Sequence, residues 1–147
     1  MKAQGFELHQ VLNYRRELEK LRHQEFAVAK HELEQAEKQL QREVERTTQV
    51  LQEMQEKQQV GIEGAELQLY SNFGRRQQIA IKEQQQAVSV LDQEVEERRE
   101  TLLDAAKDKK MLEKFKERQN IAHRLELAAK ERSFLDELSV QKSGQSP

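Results

Sequence analysis

A chain of 147 residues that is 35% charged and 35% hydrophobic, with its only proline at the last position and no tryptophan, cannot build the thick core of a compact domain, where close to half of the residues are apolar. Its composition suits helices with one narrow apolar seam. A net charge of −2 and strict spacing of the apolar residues separate it from disordered sequence of similar polarity, and the absence of cysteine excludes a disulfide framework or a thiolate metal site.

The opening Met1-Lys2-Ala3-Gln4-Gly5 lacks the apolar stretch of a secretory signal, and no apolar run approaches the roughly 18 to 20 residues of a bilayer span. A soluble cytoplasmic protein is expected. A first helix is expected over about 7–59, where apolar or small residues recur at Val11, Tyr14, Leu18, Leu21, Ala29, Leu33, Ala36, Leu40, Val44, Leu51 and Met54. Most steps are three, four or seven residues, the heptad seam of a coiled coil. The run Leu40, Val44, Thr47 reads as a stutter that locally unwinds the supercoil. At 1.5 Å per residue the helix would be roughly 75 to 80 Å long.

Val60-Gly61-Ile62-Glu63-Gly64 interrupts this pattern. Glycine costs the most backbone entropy in a helix and readily takes positive φ, so two glycines between two periodic runs predict a helix–helix turn at about 60–64. The second helix, about 65–140, carries the cleaner register: Leu67, Tyr70, Gly74, Gln77, Ile81, Gln84, Val88, Leu91, Val95, Arg98, Leu102, Ala105, Lys109 and Leu112. Past Leu112 the phase is expected to slip through Phe115, Ala122, Leu125, Ala129, Leu135 and Leu138, with a frayed tail over 141–147.

An antiparallel fold-back at residue 62 pairs positions whose numbers sum to about 124. Met54 then faces Tyr70, Leu40 faces Gln84, Ala36 faces Val88, Leu33 faces Leu91, Ala29 faces Val95, and Leu18 lies beside Ala105. The expected fold is all-α: one antiparallel coiled-coil hairpin over 1–147 with the second helix longer. Its seam uses Leu18, Leu33, Ala36, Leu40, Leu51, Ile81, Val88, Leu91, Val95, Leu102 and Leu112. Residues 119–140 find no first-helix partner and would project roughly 30 Å, carrying Ile121, Leu125, Leu127, Phe134, Leu135 and Leu138. A lone amphipathic helix of that kind seeks a groove or a partner helix. The competing architecture is a continuous rod that dimerises in parallel as a generic scaffold, with Gly61 and Gly64 as a kink.

Little here resembles chemistry. His9, His23, His31 and His123 are scattered, with no metal-ligand spacing. Glu94, Glu96, Glu97 and Glu100 have no concave pocket to tune them. Gly61 and Gly64 lack the strand and lysine of a phosphate-binding loop. No enzyme, cofactor or metal is expected. Lys107, Lys110, Lys114 and Arg118 form a basic stripe, reinforced by Lys109 and Lys116, behind an acidic block of Asp92, Glu94, Glu96, Glu97, Glu100 and Asp104. Such a stripe is either a solvated face laced by i,i+4 pairs or a band that docks an acidic partner. Nucleic acid is disfavoured by the net charge and by the lack of interleaved aromatics. Tyr70 and Phe73 just after the turn make either a small cluster with Met54, Leu51 and Ile81 or an exposed contact patch.

Four stretches, in this order and spacing, carry a resemblance: Phe6-x-Leu8-x-x-Val11-Leu12-x-Tyr14-Arg15, Tyr70-x-x-Phe73, Lys109-Lys110-x-Leu112-Glu113-Lys114-Phe115-Lys116-Glu117-Arg118, and Glu131-Arg132-x-x-Leu135-Asp136-Glu137-Leu138. With the total length, they resemble the small coiled-coil export protein of the bacterial flagellar type III secretion apparatus, itself similar to the central stalk of rotary ATPases. The resemblance implies a non-enzymatic protein, cytoplasmic and peripheral at the inner membrane without inserting into it. Its implied partners are the hexameric export ATPase, the membrane-embedded export gate and export chaperones. With the overhang and the basic stripe, it makes Lys107, Lys110, Lys114, Arg118, Leu125, Phe134 and Leu135 the candidate ATPase contacts. The gate-contacting surface carries over to Tyr70 and Phe73, while Arg46 and Val50 depart from the family's pattern on the first helix.

Overall fold

The chain folds as two helices. A computed structural model describes the backbone of residues 2–144 and the side chains from Glu7 to Gly144. Helix α1 runs Lys2–Val60 and helix α2 runs Gly64–Gly144. They form an antiparallel coiled-coil hairpin with the second helix longer, so the two periodic segments pair within one chain. Both helices extend beyond their expected limits of 7 and 140, because Lys2-Ala3-Gln4 and Gln141-Lys142 continue the run of strong helix formers without a breaker. Ser143 and Gly144 of the expected frayed tail are helical; Gln145, Ser146, Pro147 and the Phe6 side chain lie outside the described residues.

The turn is three residues long and only one of its two glycines has a conformational task. Gly61 sits at φ +118°, where a Cβ is strained, and its N–H donates to the Lys57 carbonyl at 2.9 Å, closing the last turn of α1. The Glu63 carbonyl accepts from the Leu67 N–H at 3.0 Å and opens α2. Gly64 is an ordinary helical residue with open space around its missing side chain. Lys57 in the last turn of α1 and Glu66 in the first turn of α2 meet at 2.8 Å, each at the helix end whose dipole favours its charge.

Packing divides the chain into two compact units, residues 20–103 and the paired ends 1–19 with 104–147. In the first, α1 turns inward Arg22, Phe26, Ala29, Leu33, Ala36, Leu40, Glu43, Thr47, Val50, Met54 and Lys57. Helix α2 answers with Leu67, Tyr70, Gly74, Gln77, Ile81, Gln84, Val88, Leu91, Val95, Arg98 and Leu102. Ala29, Leu33 and Val95 are buried, with Phe26, Val88 and Leu91 packed on them. Polar partners cross the same seam: Gln77 Nε2 donates to Glu43 Oε2 at 3.0 Å, and Arg98 reaches Glu25 at 3.4 Å. The buried Thr47 hydroxyl satisfies itself on the Glu43 carbonyl at 2.8 Å.

In the second unit the inward positions are Leu8, Leu12, Arg15 and Glu19 of α1 with Ala105, Lys109, Leu112 and Lys116 of α2. Leu12 retains no accessible surface and Ala105 is buried. Every residue of α2 from Glu117 to Gly144 is exposed.

The α2 register is the expected one, and it continues to Lys116 where a slip was expected past Leu112. The α1 register holds from Ala29 through Leu33, Ala36 and Leu40 and again at Met54, but not outside that stretch. Val11, Tyr14, Leu21 and Val44 are exposed, and no stutter occurs at Leu40: the inward steps alternate three and four through Glu43, Thr47, Val50 and Met54. Leu51 stands at the flank with its Cδ2 3.7 Å from where a Gly74 Cβ would lie, and Val50 takes the seam. The cause is that Arg15, Glu19, Arg22, Glu43, Thr47 and Lys57 occupy seam positions. Long charged side chains can pack their stems inward while their heads find partners across the helix pair, so the apolar residues mark only part of the seam.

Candidate functional site

Tyr70 and Phe73 are half-buried about two turns into α2 and line an open hollow of about 400 Å³ with Val50, Glu66 and Leu69. Leu69 is 69% exposed. The rings are half-buried and open to solvent on one side, with Val50 and Leu69 beside them in the hollow. Lys57 Nζ stands 5.5 Å from the centre of the Tyr70 ring while it bonds Glu66, and Glu53 lies 3.9 Å away on the other side. The Glu66 bond, with a smaller contribution from Tyr70, holds the Lys57 ammonium well above the usual lysine range. This corner therefore presents an apolar hollow beside a permanent cation already committed to a carboxylate. Sequence reasoning missed Leu69 and the role of Val50; the signal available was their position beside Tyr70 once partners are paired about residue 62.

In the unit made by the paired ends, Lys107, Lys110, Lys114 and Arg118 are all exposed on the side of α2 away from its seam. None makes an ion pair among the described residues. Two of the acids interleaved with them face the other way, Asp108 to Arg15 at 3.5 Å and Glu113 to Arg16 at 3.8 Å, while Glu117 is exposed beside the stripe without an ion pair to it. A stripe that could have been self-neutralised by local pairs is thus left without an ion pair and with a net positive charge. Lys109 does not belong to it: this side chain lies in the seam, 2.6 Å from Glu19. Lys116 likewise occupies a seam position.

Beyond Arg118 the helix carries apolar residues on two arcs. Ile121, Leu125, Ala128 and Leu135 share one, and Leu127, Phe134 and Leu138 the other, with Arg124 and Glu131 between them. All of these are exposed, Leu125, Phe134 and Leu135 at over 60% each. A helix that packs on a single neighbour needs one stripe; two stripes suit a helix with neighbours on two sides. Among the described residues no three His, Asp or Glu side chains converge as metal ligands would.

A hairpin of this length, with a longer second helix and an exposed apolar-basic end, also matches a known family model: that of the flagellar FliJ protein matches residues 4–147. The chain belongs to the flagellar FliJ protein family. FliJ proteins are non-enzymatic components of the flagellar export apparatus, which accords with a molecule whose notable features are surfaces. No curated protein and no solved structure matches the chain. No described helix is long and apolar enough to cross a membrane.

Proposed function

We propose that this FliJ-family chain is a stalk-like coiled coil of the export apparatus, cytoplasmic and peripheral at the inner membrane, whose paired ends bind the hexameric export ATPase and promote its activity. The observation that carries this reading is the uninterrupted exposure of α2 from Glu117 to Gly144, with apolar residues on two arcs and an unpaired basic stripe immediately before them. A helix entering the centre of a ring meets partners on more than one side, which the double arc fits. Lys107, Lys110, Lys114 and Arg118 would steer and seat it against acidic groups, and Leu125, Phe134 and Leu135 would supply the buried contacts.

At the other end of the helices, Tyr70 and Phe73 with Leu69 and Val50 form the surface assigned to the cytoplasmic part of the export gate, an apolar patch with an aromatic anchor. Binding and release of export chaperones completes the role by family analogy.

The test is stimulation of the purified export ATPase by the full chain. Replacing Leu125, Phe134 and Leu135 with glutamine should abolish stimulation with the hairpin intact by circular dichroism, and Lys107→Glu with Lys114→Glu should weaken it in a salt-dependent way. Full stimulation by the triple variant would refute the placement.

A further inference from the structure

Leu21 and Val28 on α1 lie seven residues apart, 47% and 59% exposed, each directly beside a seam position, Arg22 and Ala29. They form one wall of a hollow of about 280 Å³, with Glu94 and Arg98 of α2 opposite and Glu25 and Glu32 on the α1 side. The one cation there is occupied. Arg98 reaches Glu25 at 3.4 Å, and Glu25 also accepts from Arg22 at 3.0 and 3.1 Å. Glu32 and Glu94 remain on the rim without a cationic partner among the described residues. The groove is thus apolar along one side and negative along its edges.

A helix of a two-stranded coiled coil needs apolar residues on one seam only. In the 20–103 unit, α1 carries one further heptad step, Leu21 to Val28, on the flank of the first seam before the line turns polar at Gln35, which suits a local contact with a further neighbour. Two exposed aliphatic side chains beside a hollow of side-chain size are the receiving half of a knobs-into-holes contact. The charge on the rim selects what enters: flanking lysines or arginines gain partners, and flanking acids meet Glu32 and Glu94.

We propose that this groove seats an amphipathic helix of another protein, with apolar residues at heptad spacing flanked by Lys or Arg, to make a local three-helix bundle. None of the groove residues is among those assigned to the ATPase or the gate, so the proposal stands or falls independently of that reading.

The experiment uses the full chain and two synthetic peptides of about three heptads with identical leucine positions, one flanked by lysine and the other by glutamate. Binding is followed by fluorescence anisotropy, with spin labels at the exposed positions 41 and 83 reporting the hairpin. The lysine peptide should bind and the glutamate peptide should not. Val28→Gln and Leu21→Gln, which leave the seam intact, should each weaken binding about tenfold, as loss of one buried aliphatic contact does. Glu32→Gln with Glu94→Gln should weaken it and flatten its salt dependence. Equal binding of both peptides, or binding unchanged by Val28→Gln, would overturn the proposal. A lengthened 41-to-83 distance would do so too, because the peptide would then have displaced a helix. So would a chain dimer that Val28→Gln dissolves, since a second copy would then be the occupant.

Discussion

Lys109 Nζ lies 2.6 Å from Glu19 Oε2, and both residues occupy inward positions of the helix pair, their side chains only 26% and 16% exposed. A coiled coil ordinarily seats apolar groups at such places. Sliding one helix by a turn would keep many aliphatic contacts but would leave the Lys109 ammonium half-buried without its carboxylate. The pair therefore acts on register. Removing the carboxylate strands the ammonium, whereas replacing both with apolar residues of similar volume does not. Glu19→Leu should lower the unfolding free energy by about 2 kcal/mol, less than for a fully buried pair because solvent reaches both heads. Glu19→Leu with Lys109→Leu should restore it. Urea titration followed by circular dichroism measures both, and equal losses in the single and double variants would rule out the compensation.

The two turn glycines should respond in opposite directions. Gly61 holds φ +118°, so Gly61→Ala forces a Cβ into a strained backbone and should cost on the order of 1–2 kcal/mol. Gly64 is helical with nothing near its absent side chain, and Gly64→Ala should stabilise by roughly 0.5–1 kcal/mol through helix propensity and a less flexible unfolded chain. Melting temperatures of the two variants on either side of wild type would bear this out; two losses would show that Gly64 also has a conformational task.

Neighbouring residues Val11 and Leu12 separate the apparent seam from the real one. Leu12 has no accessible surface and Val11 is 45% exposed. Leu12→Ala should cost about 3 kcal/mol through lost transfer energy and the cavity left behind. Val11→Ala should fall within about 0.5 kcal/mol of wild type, as exposed substitutions do. A larger effect at Val11 would restore the register in which Val11, Tyr14, Leu18 and Leu21 face inward.

The α1 error shows what was legible and what was not. In α2 the pattern from Leu67 to Leu112 could be read position by position because apolar residues recur often enough to carry Gln77, Gln84, Arg98 and Lys109 within their frame. In α1 the polar seam positions cluster, at Arg15, Glu19 and Arg22 and again at Glu43 and Thr47. A reading that follows aliphatic residues then drifts one position sideways onto Val11, Tyr14, Leu21 and Val44. The polar residues are accounted for by cross-helix partners such as Lys109 and Gln77, which sequence spacing alone does not reveal. The same limit applies to the candidate site. The spacing of Lys107, Lys110, Lys114 and Arg118 was visible, but not that Asp108 and Glu113 turn to Arg15 and Arg16 and leave the stripe with a net positive charge.

The Lys57–Glu66 bridge gives the turn a definite pH signature. The Lys57 ammonium is favoured in the folded chain, chiefly by its bond to Glu66 at 2.8 Å, so its folded pKa lies above its unfolded one. A group raised in this way contributes stability that is fully present below the unfolded value, about 10.4 for lysine, and is lost as pH rises through the folded value. The difference in melting temperature between wild type and Lys57→Met should therefore stay constant from pH 7 to about pH 10 and shrink only in stronger alkali. Salt should reduce it at every pH, because both side chains are more than 40% exposed. A difference that disappeared between pH 7 and 9 would mean that the bridge does not hold the proton, and one that persisted undiminished in strong alkali would mean that Lys57 acts through its stem on Tyr70 instead.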